Sequence, residues 1–302
     1  MKILILGNSS IFRRKIYYSL KSTNNLTIEI ASKSKRNTIS SIKYYNSYEV
    51  ALRNTDAKIV YISLINSDHL KWGLKALNYN KHVIIDKPFT TNLNDTKIIL
   101  NLANKKKLFI SEAIVFHKQS RFINLLNKIN YKKKIIINTY FHIPKFEKNN
   151  FRNYRRYGGG CFQDMSPYAA YLIYLFFNKK KYRLDIRNKK SSKFKEFSFI
   201  AKNNRICLNC SFKFNSEYKN IIIIHNNSKQ FHMDFAFSPP TDKANYLNIF
   251  DENKKKEYKL KFNKQNTFDD YFLQVIKLIK NKKYNYFYNE IEKIAKIKKQ
   301  IS

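Results

Sequence analysis

Two stretches of the chain hold residue types that could move a proton to or from a carbonyl oxygen. In Val83-Ile84-Ile85-Asp86-Lys87-Pro88-Phe89 a β-branched run ends in an acid and a lysine, and proline stops it. A continuous apolar run closed by a breaker reads as a strand buried on both faces, hence a parallel strand of an α/β protein. Lys87 then stands at the carboxyl end, where open α/β sheets form their ligand crevice. A surface lysine at a strand end is the competing reading. The second stretch is Gly158-Gly159-Gly160-Cys161-Phe162-Gln163-Asp164-Met165-Ser166-Pro167-Tyr168. Three of the five glycines of the chain stand together in it, so the backbone there needs conformations or close approaches that side chains forbid. A helix follows directly, and Asp164 and Tyr168, four residues apart, share a face near its first turn. A carboxylate and a phenol can hold and protonate a carbonyl oxygen. A helix-capping aspartate beside a packed tyrosine is the plainer alternative.

The elements that must position these residues fall into two groups. Lys2 to Leu6 is a buried-strand run, closed by Gly7-Asn8-Ser9-Ser10 and followed by Ile11, Ile16, Tyr17 and Leu20 at helical spacing. Leu26 to Ala31 and Ala57 to Leu64 read as further strands, then a helix around His69 to Leu77, the strand through Ile85, a helix over Asn94 to Ala103 and a strand from Leu108 into Glu112. Strands alternating with helices predict βαβ units and a doubly wound, Rossmann-like parallel sheet over residues 1–118. From 119 to 302 the strands Ile135 to Ile143, Phe194 to Ala201, Arg205 to Phe214, Lys219 to Ile224, Gln230 to Phe237 and Glu257 to Phe262 follow one another over short polar links. With helices over Asp164 to Phe177, from Phe268 past Ile279, and over Glu290 to Ile301, they predict an α+β domain on an open, mostly antiparallel sheet. Such a sheet face commonly joins subunits, so a homodimer or homotetramer through it is expected.

Composition narrows the function classes. The 59 Lys plus Arg against 21 Asp plus Glu give a net charge of +38, which alone would suggest a nucleic-acid or anionic-membrane partner. The lysine runs at 105–107, 132–134, 179–181 and 254–256 are scattered between apolar segments, and Asn, Ile, Tyr and Phe are inflated along with Lys. That pattern favours diffuse solvated charge from a chain-wide compositional drift over a specific nucleic-acid site. Cys161, Cys207 and Cys210 are too few for a disulfide framework and suit a reducing cytoplasm. Cys207 and Cys210 imitate a metal knuckle, but period-two alternation puts them on opposite faces of a strand, so no metal is expected. The longest apolar segment, Tyr168 to Phe177, is about half of the roughly 20 residues that a membrane span requires.

Gly7, Asn8, Ser9, Ser10 and Ile11 begin a turn whose backbone N–H groups and following helix dipole could hold a pyrophosphate. Ser9 and Phe12 stand where a G-x-G-x-x-G fingerprint has its second and third glycines. A simple strand-to-helix turn with a serine cap remains the alternative. NAD-selective proteins of this kind commonly end the second strand in Asp or Glu, which binds the ribose 2′-hydroxyl. Here the place holds Ser32, followed by Lys33, Lys35 and Arg36, which can pair with a 2′-phosphate. NADP is therefore expected over NAD.

Taken in order, these residues resemble the Gfo/Idh/MocA family of NAD(P)-dependent sugar oxidoreductases. The likeness runs through the first-strand turn, Asn66-Ser67-Asp68-His69, His82-Val83-Ile84-Ile85-Asp86-Lys87-Pro88, Ser111-Glu112-Ala113, the triple-glycine helix, and Phe235-Ala236-Phe237-Ser238-Pro239-Pro240. Within the family the chain is most similar to the branch with Tyr four residues after the helix aspartate, which includes NDP-hexose 3-ketoreductases. The resemblance implies that Lys87 is the catalytic lysine of the Glu-Lys-Pro motif, that Tyr168 is the proton-donating tyrosine and that Asp164 orients substrate or lysine. It also implies that Leu64, Asn66, His69 and Asp86 line the nicotinamide ribose, that Arg152 contacts cofactor, and that Arg14, Tyr218 and Ser238 touch substrate. Asp86 stands for the family's Glu, and Ile65 for a proline. The implied activity is NADP-dependent reduction of a keto group on a sugar or sugar nucleotide, with surface polysaccharide synthesis as a setting.

Oxidation of a free sugar or cyclitol is the alternative enzyme. A cofactor-binding protein without turnover and a nucleic-acid-binding protein are the alternatives from other classes. Titration of the purified protein with NADPH and NADH is expected to give the tighter complex with NADPH; a tighter complex with NADH would overturn the reading of Ser32 and Lys33.

Overall fold

Leu4, Ile5 and Leu6 have no exposed surface, and the strand that holds them, β1 (Lys2–Leu6), lies inside a six-stranded sheet. The computed structural model describes residues 1–23, 26–33, 42–178, 180–187 and 193–302. It divides into two compact units, Met1–Ile114 with Arg156–Gly158 and Phe268–Lys296, and Val115–Arg155 with Gly159–Thr267 and Ile297–Ser302.

In the first unit β1 is joined by β2 (Thr27–Ala31), β3 (Lys43–Tyr45), β4 (Ile59–Ile62), β5 (His82–Asp86) and β6 (Ile110–Ala113). The strand order is β3-β2-β1-β4-β5-β6, with every pair parallel. This is the doubly wound arrangement expected, with the order reversing between β1 and β4, where such sheets open their ligand crevice. The helices α1 (Tyr17–Ser22), α2 (Tyr48–Asn54), α3 (His69–Asn78) and α4 (Leu93–Lys105) connect the strands. Two of them start as their sequences direct: Ser47 accepts from the Val50 N–H ahead of α2, and Asn92 from the Asp95 N–H ahead of α4. β3 and α2 were not anticipated, because a three-residue edge strand leaves little periodicity to detect.

The two units are not the consecutive blocks 1–118 and 119–302. The helices α7 (Thr267–Lys280) and α8 (Tyr288–Gln300) follow the second sheet in the chain, yet residues Phe268–Lys296 belong to the first unit. Tyr271, fully buried, places its hydroxyl 2.7 Å from Ser111 Oγ on β6. The Phe272 ring lies 5.9 Å from that of Tyr61, and the Phe287 ring meets Phe109 edge-on at 5.9 Å. The aromatic face of a distant segment thus covers one side of the parallel sheet, a long-range pairing that no local composition shift announces.

The second unit contains α5 (Ser120–Lys128), β7 (Ile135–Ile143), α6 (Cys161–Phe177), β8 (Arg183–Ile186), β9 (Glu196–Lys202), β10 (Ile206–Phe214), β11 (Lys219–Asn226), β12 (Lys229–Asp234), β13 (Asn245–Asp251) and β14 (Lys256–Phe262). The sheet order is β14-β13-β12-β11-β7-β10-β9-β8, antiparallel throughout except for the central pair β7 and β10. Parallel neighbours need a long crossover, and here it contains α6, β8 and β9. α5, β8 and β13 escaped the sequence reading. β8 is short and mostly exposed, while β13 turns Asn245 and Asp251 inward at positions where alternation predicts apolar residues.

Lys132 to Lys134 and Lys254 to Lys256 are exposed, the latter in the turn between β13 and the start of β14. Cys210 is buried and Cys207 partly exposed, on opposite sides of β10 as alternation requires. No helix among the described residues is long and apolar enough to cross a membrane.

Candidate active site

Gly7, at the end of β1, adopts φ +100°. A Cβ there would lie 2.3 Å from the Ser63 carbonyl oxygen and 2.8 Å from Leu64 Cδ2, so only glycine lets the chain cross the end of β4 this closely. Its N–H donates to the Ala31 carbonyl at 2.8 Å. Ser9 turns its hydroxyl inward, accepting from the Phe12 N–H at 3.1 Å and meeting Ser63 Oγ at 2.7 Å. Phe12 is fully buried, and the helix opens in a wider π-helical turn, Phe12–Ile16, before tightening into α1. A buried phenylalanine where the fingerprint keeps a glycine needs that extra room. Asn8, Ser10 and Ile11 lie in the same turn, and Arg14 is exposed on the π-helical turn. At the end of β2, Ser32 is buried and donates its N–H to the Tyr45 carbonyl at 3.0 Å. The exposed Lys33 holds Nζ 5.6 Å from the centre of the Tyr48 ring. Lys35 and Arg36 lie outside the described residues.

Lys87 follows β5 directly, behind an anchored residue. Asp86 Oδ1 accepts from the Tyr61 hydroxyl at 2.5 Å, and Oδ2 accepts from Ser63 Oγ at 2.8 Å. Burial pushes the Asp86 carboxyl above the usual aspartate range, while both hydroxyls, His69 and the Lys87 charge oppose the rise. His69 is fully buried, with Nδ1 2.7 Å from the Pro88 carbonyl oxygen and Nε2 3.1 Å from that of Leu64. Burial lowers its pKa, so the neutral ring donates through one nitrogen. Both ring nitrogens thus meet backbone carbonyl oxygens. Asn66 is also buried, and its Nδ2 donates to the Gly158 carbonyl at 2.9 Å.

Each glycine of the triplet has its own reason. A Cβ on Gly158, at φ +71°, would come within 2.8 Å of Asn66 Cβ; one on Gly159 would come within 2.6 Å of the Arg152 and Phe151 carbonyl oxygens. Gly160, at φ +103°, lies against the Phe194 ring. In the second unit, α6 then presents Asp164, whose Oδ2 meets Arg152 Nε at 3.1 Å. Arg152, expected at the cofactor, is the salt-bridge partner of Asp164 and lies over the Phe151 ring at 4.6 Å. Tyr168 is half-buried among Phe116, Phe141 and Phe237, at ring-centre distances of 5.5, 5.4 and 5.2 Å. The structure also brings Tyr218 and Ser238 together: buried Asn220 donates through Nδ2 to the Tyr218 oxygen at 3.1 Å and to Ser238 Oγ at 2.9 Å. Asn220 was missed, although a lone Asn at core parity before the run Ile221 to Ile224 was its signal.

Residues 1–113 match the Gfo/Idh/MocA oxidoreductase family, NAD-binding Rossmann fold. Over 126 residues the chain is 31% identical to a dTDP-3,4-didehydro-2,6-dideoxy-α-D-glucose 3-reductase of Saccharopolyspora spinosa, covering 41% of this chain and 38% of that enzyme. It is 24% identical over 145 residues to a trans-1,2-dihydrobenzene-1,2-diol dehydrogenase of Danio rerio, covering 45% of this chain and 42% of that one. The chain thus spans well under half the length of these curated relatives. A 3-ketoreductase from Actinomadura kijaniata, solved with NADP and TDP-benzene, shares the fold over 98% of this chain and 94% of its own, with a TM-score of 0.87 at 18% identity.

The Arg152–Asp164 pair is open to measurement. The carboxylate side chain is 5% exposed and the arginine 27%, so Arg152→Ala removes an ion-pair partner from a nearly buried carboxylate. A loss of about 1–3 kcal/mol is expected, discounted for the exposed arginine, read as a lower urea midpoint. An unchanged midpoint would show that the pair adds nothing to stability.

Proposed function

We propose that this chain, whose first unit carries Gfo/Idh/MocA sequence and the doubly wound fold, is an NADP-dependent oxidoreductase that reduces a keto group on a nucleotide-linked sugar. The observation that carries the reading is Lys87 standing immediately after β5, at the carboxyl edge of a parallel sheet, beside the anchored Asp86. The cofactor fits the residues present. Gly7 lets the turn after β1 pass against the Ser63 backbone where any Cβ would clash, and the end of β2 offers Ser32 and Lys33 to a 2′-phosphate, with no Asp or Glu in the sequence from 32 to 36. When bound, NADPH supplies the hydride.

The chain's own residues do the rest. Lys87 or Tyr168 donates a proton to the oxygen of the carbonyl as it gains charge, which spares the reaction a free alkoxide. Asp164 orients substrate through the carboxylate that Arg152 holds. Tyr218 and Ser238, tied through Asn220, offer hydroxyls to the sugar nucleotide. The substrate class follows the 3-reductase relative, and the nucleotide follows the TDP ligand of the Actinomadura structure.

An exposed sheet face supports assembly into a homodimer or homotetramer. Ile136, Tyr140, Tyr246 and Phe250 are each more than a third exposed, and register places Ile136, His225, Gln230 and Phe250 in one row across β7, β11, β12 and β13. Exposed apolar surface of this kind marks an interface. Light scattering is expected to give a multiple of the 36.2 kDa chain, and a monomer at micromolar concentration would remove the interface.

The function is tested by following NADPH oxidation against a panel of keto-sugar nucleotides, where turnover with at least one is expected. Lys87→Ala should lower that turnover by about 10²–10⁴-fold and leave NADPH binding nearly intact. Unchanged turnover would take Lys87 out of the reaction.

A further inference from the structure

We infer that Glu112 and His69 are positioning residues that fix the backbone carrying Lys87, an inference that rests on the function proposed above. Lys87 lies just past the paired register of β5, which ends at Asp86 opposite Ala113. Beyond that point Pro88 has no N–H to give, and the Lys87–Pro88 peptide bond is cis. Side chains take over where the ladder stops. The Phe89 N–H donates to Glu112 Oε1 at 2.8 Å, and the Pro88 carbonyl meets His69 Nδ1 at 2.7 Å. Together with Tyr61 and Ser63 on Asp86, the segment 86–89 is held by side chains from the β4 segment, α3 and β6.

The holders are costly, which argues against incidental contacts. Glu112 is 6% exposed and His69 fully buried, and a buried carboxylate is tolerated only when hydrogen-bonded. Strand register puts Glu112 opposite Ile85, so its side chain reaches past the end of the neighbouring strand to catch an amide four residues further along. A lysine side chain has four flexible carbons, so the position of its ammonium is only as well defined as its backbone. Displacement of a reacting group by about 1 Å can cost on the order of a hundredfold in rate.

The test compares Glu112→Ala, Glu112→Asp and Glu112→Gln. Alanine removes the acceptor, aspartate withdraws it by a methylene, and glutamine keeps an oxygen in place. With the keto-sugar nucleotide that wild-type protein turns over, kcat is expected to fall at least about tenfold in the first two, while KM for NADPH stays within about threefold; glutamine should restore most of kcat. Peptide-resolved amide exchange across Lys87 to Thr90 should speed up in the Ala and Asp variants and not in Gln. Thr55→Ala, which removes a buried hydrogen bond to Glu29 at 2.7 Å, is the stability control and should lower the melting temperature without moving kcat. If alanine prevents folding, aspartate decides. Unchanged kcat with faster exchange, or unchanged exchange, overturns the inference. If no substrate is turned over by wild-type protein, the proposed function falls on that result, and the clamp stands or falls on exchange alone.

Discussion

All strands of a parallel sheet end at the same edge, and where both faces are covered that edge is the place where polar side chains must meet partners or ligand. The first unit is organised by this constraint. Gly7 gives up its side chain so that β1 can end against Ser63. Asp86 arrives at the edge with a carboxylate that burial disfavours, and two hydroxyls on the β4 segment receive it. His69 and Glu112 hold the backbone just beyond. A lysine that follows such a residue is placed by the sheet itself.

The second unit reaches definition by a different route. Its sheet is covered by α6, and the sharp entry to that helix is made by backbone running too close to other backbone for any Cβ: Gly159 against the Arg152 and Phe151 carbonyls, Gly160 against a ring. That entry fixes where the first turn begins, and therefore which way Asp164 points. Further along, Tyr168 is surrounded by three phenylalanines drawn from the segment before α5, from β7 and from the segment after β12. Edge-on and tilted rings hold a phenol by its body while leaving its polar end to set the chemistry.

Much of this was legible in the sequence, and what was legible shares a cause. Runs such as Ile3 to Leu6 and Val83 to Ile85 are buried on both faces, so composition alone betrays them; the glycine triplet is improbable in a chain with five glycines, so its constraint shows too. The hidden parts depend on contacts across long separations. Phe268 to Lys296 joins the first unit because Tyr271 meets Ser111 and Phe287 meets Phe109, pairings between residues more than 150 apart. β13 hides behind Asn245 and Asp251, polar residues turned inward. The neighbours of Arg152 and His69 were not legible either: Arg152 Nε meets Asp164 and both His69 nitrogens meet backbone carbonyls, because the position of a motif does not say which neighbour a side chain will find first.

Two positions where residues 1–113 depart from the pattern of the family they match prove to be neighbours. Ser9 stands for a fingerprint glycine and Asp86 for a glutamate, and both bond to the same hydroxyl: Ser9 Oγ to Ser63 Oγ at 2.7 Å, Ser63 Oγ to Asp86 Oδ2 at 2.8 Å. An aspartate is one methylene shorter than a glutamate, and Ser63 and Tyr61 supply the partners within its shorter reach. Once Ser63 donates to Asp86, its remaining capacity as an acceptor is met by the hydroxyl proton of Ser9, whose own lone pair then takes the Phe12 N–H. The proton order is thereby set along the whole line, from the carboxylate that precedes Lys87 to the first turn of the helix beyond Gly7. The two substitutions meet at Ser63, and through it the turn that would hold the dinucleotide is tied by hydrogen bonds to the strand that delivers the lysine.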